Sequence, residues 1–153
     1  MREFFEISDR FIEAADANEL LYEPLDGGVT FRRTRRYEVE FDGDKPAMEA
    51  FIKKTLLDEI SQEFHEGEDM ALDGFSFVLE YGMRPGALDL EKEAILNYYR
   101  GTEKPGFELK DLKIRQQLYV FDAKAVHSDR FIRDICNGAI HNWSVIQGAN
   151  EDV

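Results

Sequence analysis

The sequence predicts an α+β chain of two successive β-α-β-α units, with mainly antiparallel sheets and helices packed on one face. Three observations lead there. First, Phe75, Phe77, Leu79 and Tyr81 alternate with Ser76, Val78 and Glu80, the period of a strand. Second, that strand runs into Pro85-Gly86, which suits the central positions of a type II turn. Asp89 then stands where it can cap a helix opening at Leu90, with Glu91 and Glu93 in the first turn. Third, the halves superpose at an offset of about 80 residues: Phe41-Asp42 falls on Phe121-Asp122, Phe51-Ile52 on Phe131-Ile132, Lys53 on Arg133 and Ile60 on Ile140.

The elements follow in order. Met1–Ile7, with Phe4, Phe5 and Ile7, reads as a short strand, and Ala14–Tyr22 as a short helix capped by Asp16. Pro24 and Asp26-Gly27-Gly28 end it. Val29–Phe41 is a long strand in which Val29, Phe31, Tyr37, Val39 and Phe41 keep the period of two, its apolar face interrupted by arginines. Asp44-Lys45-Pro46 opens a helix expected to reach Phe64, carrying Met48, Phe51, Ile52, Leu56, Ile60 and Phe64. The second half repeats the order: strand Phe75–Tyr81, helix Leu90–Arg100, loop Gly101–Gly106 and strand Leu112–Phe121. A helix capped by Ser128 and holding Phe131, Ile132, Ile135, Cys136 and Ile140 follows, and Val145-Ile146-Gln147 starts a last strand. The boundaries expected are 1–67 for the first unit, 68–73 for an acidic connector and 74–153 for the second unit.

Composition narrows the function classes. With 32 acidic against 19 basic residues, the net charge of −13 disfavours nucleic acid and anionic membranes, which both demand clustered Lys and Arg. No apolar run approaches the ~20 residues of a membrane span. The start, MREFFEISDR, lacks the basic-then-apolar order of a secretory signal. Cys136 is the only cysteine, so an internal disulfide is excluded; a reducing cytoplasm is the expected location.

The residues give no catalytic constellation. His65, His127 and His141 have no metal-ligand spacing with Cys136, and no Gly-rich phosphate loop occurs. Cys136, among apolar helix residues, reads as an inert core thiol. Glu66, Glu68 and Asp69 read as a solvated run. The arginines of FRRTRRYEVEF stand apart. Alternation sends Arg32 and Arg36 to one face, Arg33 and Arg35 to the other. Local pairing with the many carboxylates is one reading; a partner interface is the other, since guanidinium suits planar recognition. Arg84, beside Pro85-Gly86, is the second candidate contact.

The stretch from Phe77 to Asp89, FVLEYGMRPGALD, resembles the opening of PurS-like domains, where a strand leads through a (K/R)-P-G-(V/A)-x-D turn into a helix. Leu112–Phe121 is similar to that family's second long strand. Phe131 to Gln147, with Asn142 and then Val145-Ile146-Gln147, is similar to its last helix and N-P-V-I ending. The tandem arrangement resembles the N-terminal part of fused formylglycinamidine ribonucleotide synthetases. Residues 75–147 carry the resemblance, and 1–65 join it through the internal repeat. Three departures stand out. Trp143-Ser144 replaces the usual Pro, Arg10–Asp16 (RFIEAAD) replaces the first R-P-G turn, and neither synthetase nor glutaminase follows Val153. A stand-alone tandem subunit and an excised N-terminal segment both fit.

The resemblance implies a non-catalytic bridge in phosphoribosylformylglycinamidine synthase, the de novo purine enzyme that passes ammonia from a glutaminase to an ATP-dependent synthetase. It implies no catalytic residue, cofactor or metal in this chain, with ATP and Mg²⁺ in the partner synthetase. The expected partner-interface residues are Arg32, Arg33, Arg35, Arg36, Arg84, Pro85 and Gly86. Homo-oligomerisation is compatible with this role. The alternative is a stand-alone regulatory α+β protein binding a small metabolite between its repeats, because a cleft between like halves is a natural ligand site.

Overall fold

The chain forms one seven-stranded sheet with three α-helices on one side, as given by a computed structural model that describes residues 1–10 and 13–148. The strands are β1 (Arg2–Asp9), β2 (Ala15–Asp16), β3 (Thr30–Gly43), β4 (Gln62–Glu66), β5 (Phe77–Met83), β6 (Phe107–Phe121) and β7 (His141–Gln147). The helices are α1 (Lys45–Leu56), α2 (Leu90–Arg100) and α3 (Ser128–Ile135). The strand order is β4-β1-β3-β6-β5-β7, with β2 beside β3, and every described pairing is antiparallel. Exchanging the halves leaves this order unchanged: β4, β1 and β3 trade places with β7, β5 and β6. The fold class is therefore α+β with an antiparallel sheet.

The ladder between β3 and β6 joins the halves, from Thr30 opposite Phe121 to Gly43 opposite Phe107. Tyr37 faces Ile114, Val39 faces Leu112 and Phe31 faces Val120, all on the helix-covered side. Two apolar clusters form there. Met48, Phe51 and Ile52 of α1 and Ile95 of α2 cover Phe5, Tyr37, Val39, Phe41, Leu112 and Ile114. Phe131 of α3 and the segment holding Ala17, Leu21 and Leu25 cover Phe77, Leu79, Leu118 and Val120. Phe51 meets Tyr98 and Tyr99 across the α1–α2 boundary at 5.8 and 5.7 Å between ring centres.

Several elements differ from the sequence expectation, each for a local reason. The helix after Pro46 ends at Leu56 rather than Phe64. Asp58 breaks it: its Oδ1 accepts from Ile60 N at 3.1 Å and its carbonyl from Gln62 N at 2.8 Å, closing a turn that returns the chain as β4. Ile60 is 82% exposed, while Phe64 packs its ring 4.9 Å from Phe5 as a strand residue. Ala14–Tyr22 holds β2 and a 3-10 turn over Ala17–Leu20 rather than an α-helix, although Asp16 does cap it, accepting from Asn18 N at 2.9 Å. Within Arg10–Asp16, Phe11 and Ile12 lie outside the described residues, as do 149–153 of the expected second unit.

Strand β6 begins five residues before the expected Leu112 because its alternation slips at a bulge: Phe107 and Leu109 are buried, then Leu112 and Ile114. Ser128 is the first residue of α3 and not its cap; His127 holds that position without a side-chain bond. Cys136 and Ile140 lie beyond the helix, which ends at Ile135. The repeat offset carries α1 onto α3 and β4 onto β7. In the long strands it changes face, because Phe41 is in the core whereas Phe121 follows the core residue Val120. A one-residue shift restores the match there.

The acidic connector has a place in the fold that its composition did not suggest. It crosses the side of the sheet that bears no helix. Gly67 N donates to Phe4 O and Ser76 N to Val120 O, fixing both ends, and Phe75 packs edge-on against Tyr119. Beneath it Glu6, Thr34, Gln117 and Tyr119 are buried.

Candidate functional site

The four arginines of β3 occupy the middle of the sheet and divide between its faces as alternation requires. Arg33 and Arg35 lie on the helix-covered side, in the gap between the two apolar clusters, and both are exposed. Arg33 donates to Tyr81 Oη at 2.8 Å and sits over the Phe31 ring. Arg35 donates to Glu91 Oε1 at 2.8 Å, and Tyr37 Oη donates to the same oxygen at 3.1 Å. Burial, followed by the Glu91 charge, pushes the Tyr37 phenol up to about 12. This group binds α2 to β3, so part of the arginine charge is paired within the fold.

Arg32 and Arg36 serve the other face. Arg32 donates to Asp9 O at 2.9 Å. Arg36 holds the connector: it donates to Glu68 O, reaches Met70 Sδ at 3.5 Å and covers the Phe4 ring at 5.6 Å. Under that strap, Glu6 Oε2 accepts from Thr34 Oγ1 at 2.6 Å and from Tyr119 Oη, while Oε1 accepts from Ala71 N at 3.2 Å. Burial, and then the hydrogen bond to Glu6, raise the Tyr119 pKa strongly. A buried carboxylate with three donors is a satisfied anchor. In the sequence, alternation places Glu6 on the face opposite Phe5 and Ile7, where a carboxylate reads as solvent-facing; only the connector laid over that face buries it.

Arg84, Pro85 and Gly86 form an exposed turn at the end of β5. Ala87 N donates to Arg84 O at 3.0 Å, closing the turn, and Gly86 has φ of 87°, as position i+2 of a type II turn requires. Asp89 Oδ1 accepts from Lys92 N at 3.1 Å, the expected cap. Arg84 is tied to the loop before β7, donating through its side chain to Gly138 O at 2.8 Å and through its backbone to Ile140 O at 2.7 Å. No hydrogen bond or ion pair among the described residues joins this turn to the β3 arginines.

Two concave regions adjoin these groups. A cavity of about 300 Å³ lies at the junction of the halves, lined by Asp9, Arg33, Arg35, Leu56, Gln62 and Gln116 among others. A second, of about 330 Å³, lies beside the turn between Arg84, α2 and the early part of β6.

Two of the three histidines are engaged locally, and the buried Nδ1 of His127 has no partner among the described residues. His65 Nε2 lies 3.0 Å from Ser8 Oγ, and His141 Nδ1 accepts from Asn137 N at 3.0 Å. Burial pushes the half-buried Cys136 thiol up. Among the described residues no group of three or more His, Cys, Asp or Glu converges to hold a metal ion, and no helix is long and apolar enough to cross a membrane. No family model, curated protein or solved structure matches the chain. The resemblance to PurS-like domains rests on the residues of the chain itself.

Proposed function

We propose that this chain is a non-catalytic bridging component of phosphoribosylformylglycinamidine synthase, built from two PurS-like units and holding the ATP-dependent synthetase and the glutaminase together for ammonia transfer. The observation that carries the reading is the exchange symmetry of the strand order about the β3–β6 ladder. Two like units joined through their longest strands make one body with comparable ends, and covalent linkage renders their association independent of concentration. The exposed Arg84–Ala87 turn adds support, since it projects where a partner can reach it. Arg33 and Arg35, exposed at the junction, are the other contact residues of this reading. ATP and Mg²⁺ belong to the synthetase, and the setting is the cytoplasm. Size-exclusion chromatography of the chain with both catalytic parts tests it: co-elution is expected, and separate elution of all three contradicts it.

A further inference from the structure

We infer that the cavity beside the Arg84–Ala87 turn is a binding site for a small phosphate monoester, with the Arg84 guanidinium as its principal anchor. The cavity exists because β5 stops pairing with β6 at Gly82 opposite Arg115, after which the turn carries the chain away into α2. Its volume of about 330 Å³ falls in the range of small-ligand sites.

Its lining carries four cations, Arg84, Lys92, Lys113 and Arg115, against two carboxylates, Asp89 and Asp111. This is unusual in a chain of net charge −13. The carboxylates within reach are already committed. Asp89 caps α2, and Asp111 accepts from Leu112 N at 2.8 Å while pairing with Lys92 at 3.2 Å. Behind the lining, Glu38 is divided among Arg2, Lys113 and Arg115, and Glu80 between Arg115 and Gln117. Arg84 has no carboxylate within ion-pair distance among the described residues. Its only side-chain bond among the described residues, to Gly138 O, leaves most of its five donors unused there. A guanidinium held by a neutral carbonyl keeps its charge unspent and its fork oriented.

A phosphate monoester supplies what this arrangement lacks: close to two negative charges at neutral pH and three strong acceptor oxygens. Arg84 provides the bidentate contact and Lys113 a second, mobile charge. The site lies within the second half and does not depend on the bridging role.

The test is ³¹P NMR titration of the full chain with inorganic phosphate and with ribose 5-phosphate, at roughly 0.15 M ionic strength to screen diffuse attraction. Saturable shifts are expected for the sugar phosphate, weakened about tenfold or more in Arg84→Ala and Lys113→Gln and less in Arg84→Lys. Lys124→Gln, at an exposed lysine outside the cavity lining, should bind as the parent does. Circular dichroism confirms that the variants fold; should Arg84→Ala fail to, Lys113→Gln decides. Absence of saturable binding, equal weakening by Lys124→Gln, or full affinity in Arg84→Ala or Lys113→Gln would overturn the assignment.

Discussion

Arg36 and Arg115 stand directly opposite each other at the centre of the β3–β6 ladder, two like charges on neighbouring strands. Such a pair opposes strand association unless each charge is drawn elsewhere. Arg115 turns to Glu80 at 3.3 Å and Glu38 at 3.8 Å; Arg36 turns to the connector. The strap is therefore part of what lets the two halves share one sheet.

Replacing Arg36 with Ala should loosen that strap. The loss of a charged donor and of the Phe4 contact is expected to cost about 1–3 kcal/mol. Hydrogen exchange at Ala71 N, which reports strap opening through its bond to Glu6, should accelerate in this variant while amides of α2 remain unchanged.

Glu6→Leu should be more damaging. Thr34 Oγ1, Tyr119 Oη and Ala71 N would lose one shared acceptor inside the fold, and unpaired buried donors cost about 1–3 kcal/mol each. Chemical denaturation should show a stability loss exceeding that of Arg36→Ala. An equal or smaller loss would mean the carboxylate is not the anchor of the strap.

The Tyr37 phenol makes the fold sensitive to alkali. Its folded pKa of about 12 lies above the ordinary 10 of the unfolded chain. The folded state therefore holds this proton more tightly, and its contribution is fully present below pH 10. It is lost as pH rises from 10 through 12. Ultraviolet titration of the tyrosinates should show this group ionising late, and Glu91→Gln should lower its pKa because the Glu91 charge and hydrogen bond both act on it.

Two glycines near the turn should respond differently to alanine. A Cβ added at Gly86 would meet open space, but φ there is positive, so Gly86→Ala is expected to cost about 1–2 kcal/mol through backbone strain. At Gly82 a Cβ would stand 2.8 Å from Ile114 O, so Gly82→Ala must push β5 from β6. Thermal melting should rank Gly82→Ala below Gly86→Ala.

Legibility in the sequence followed local rules closely and failed where tertiary partners decided. Leu90–Arg100 was readable to the residue, because Asp89 and the Pro85-Gly86 turn mark its start chemically. The division of the arginines between faces followed from alternation alone. β4 was not readable: Ile60 and Phe64 continue a helical spacing, and only the Asp58 turn and the open edge of β1 make Gln62–Glu66 a strand. The early part of β6 was hidden by a bulge that breaks the period of two. Of the candidate contacts, the sequence singled out Arg84 but not Lys92, Lys113 and Arg115 beside it, since their meeting depends on where β5 leaves β6.

The bridging role is tested most directly by glutamine-dependent turnover. Synthetase and glutaminase parts would be assayed for ATP hydrolysis with formylglycinamide ribonucleotide and glutamine, with and without this chain, ammonia serving as the control nitrogen source. Glutamine-dependent turnover is expected to require the chain, while ammonia-dependent turnover is not. Glutamine-dependent turnover of equal size in its absence would contradict the bridging role.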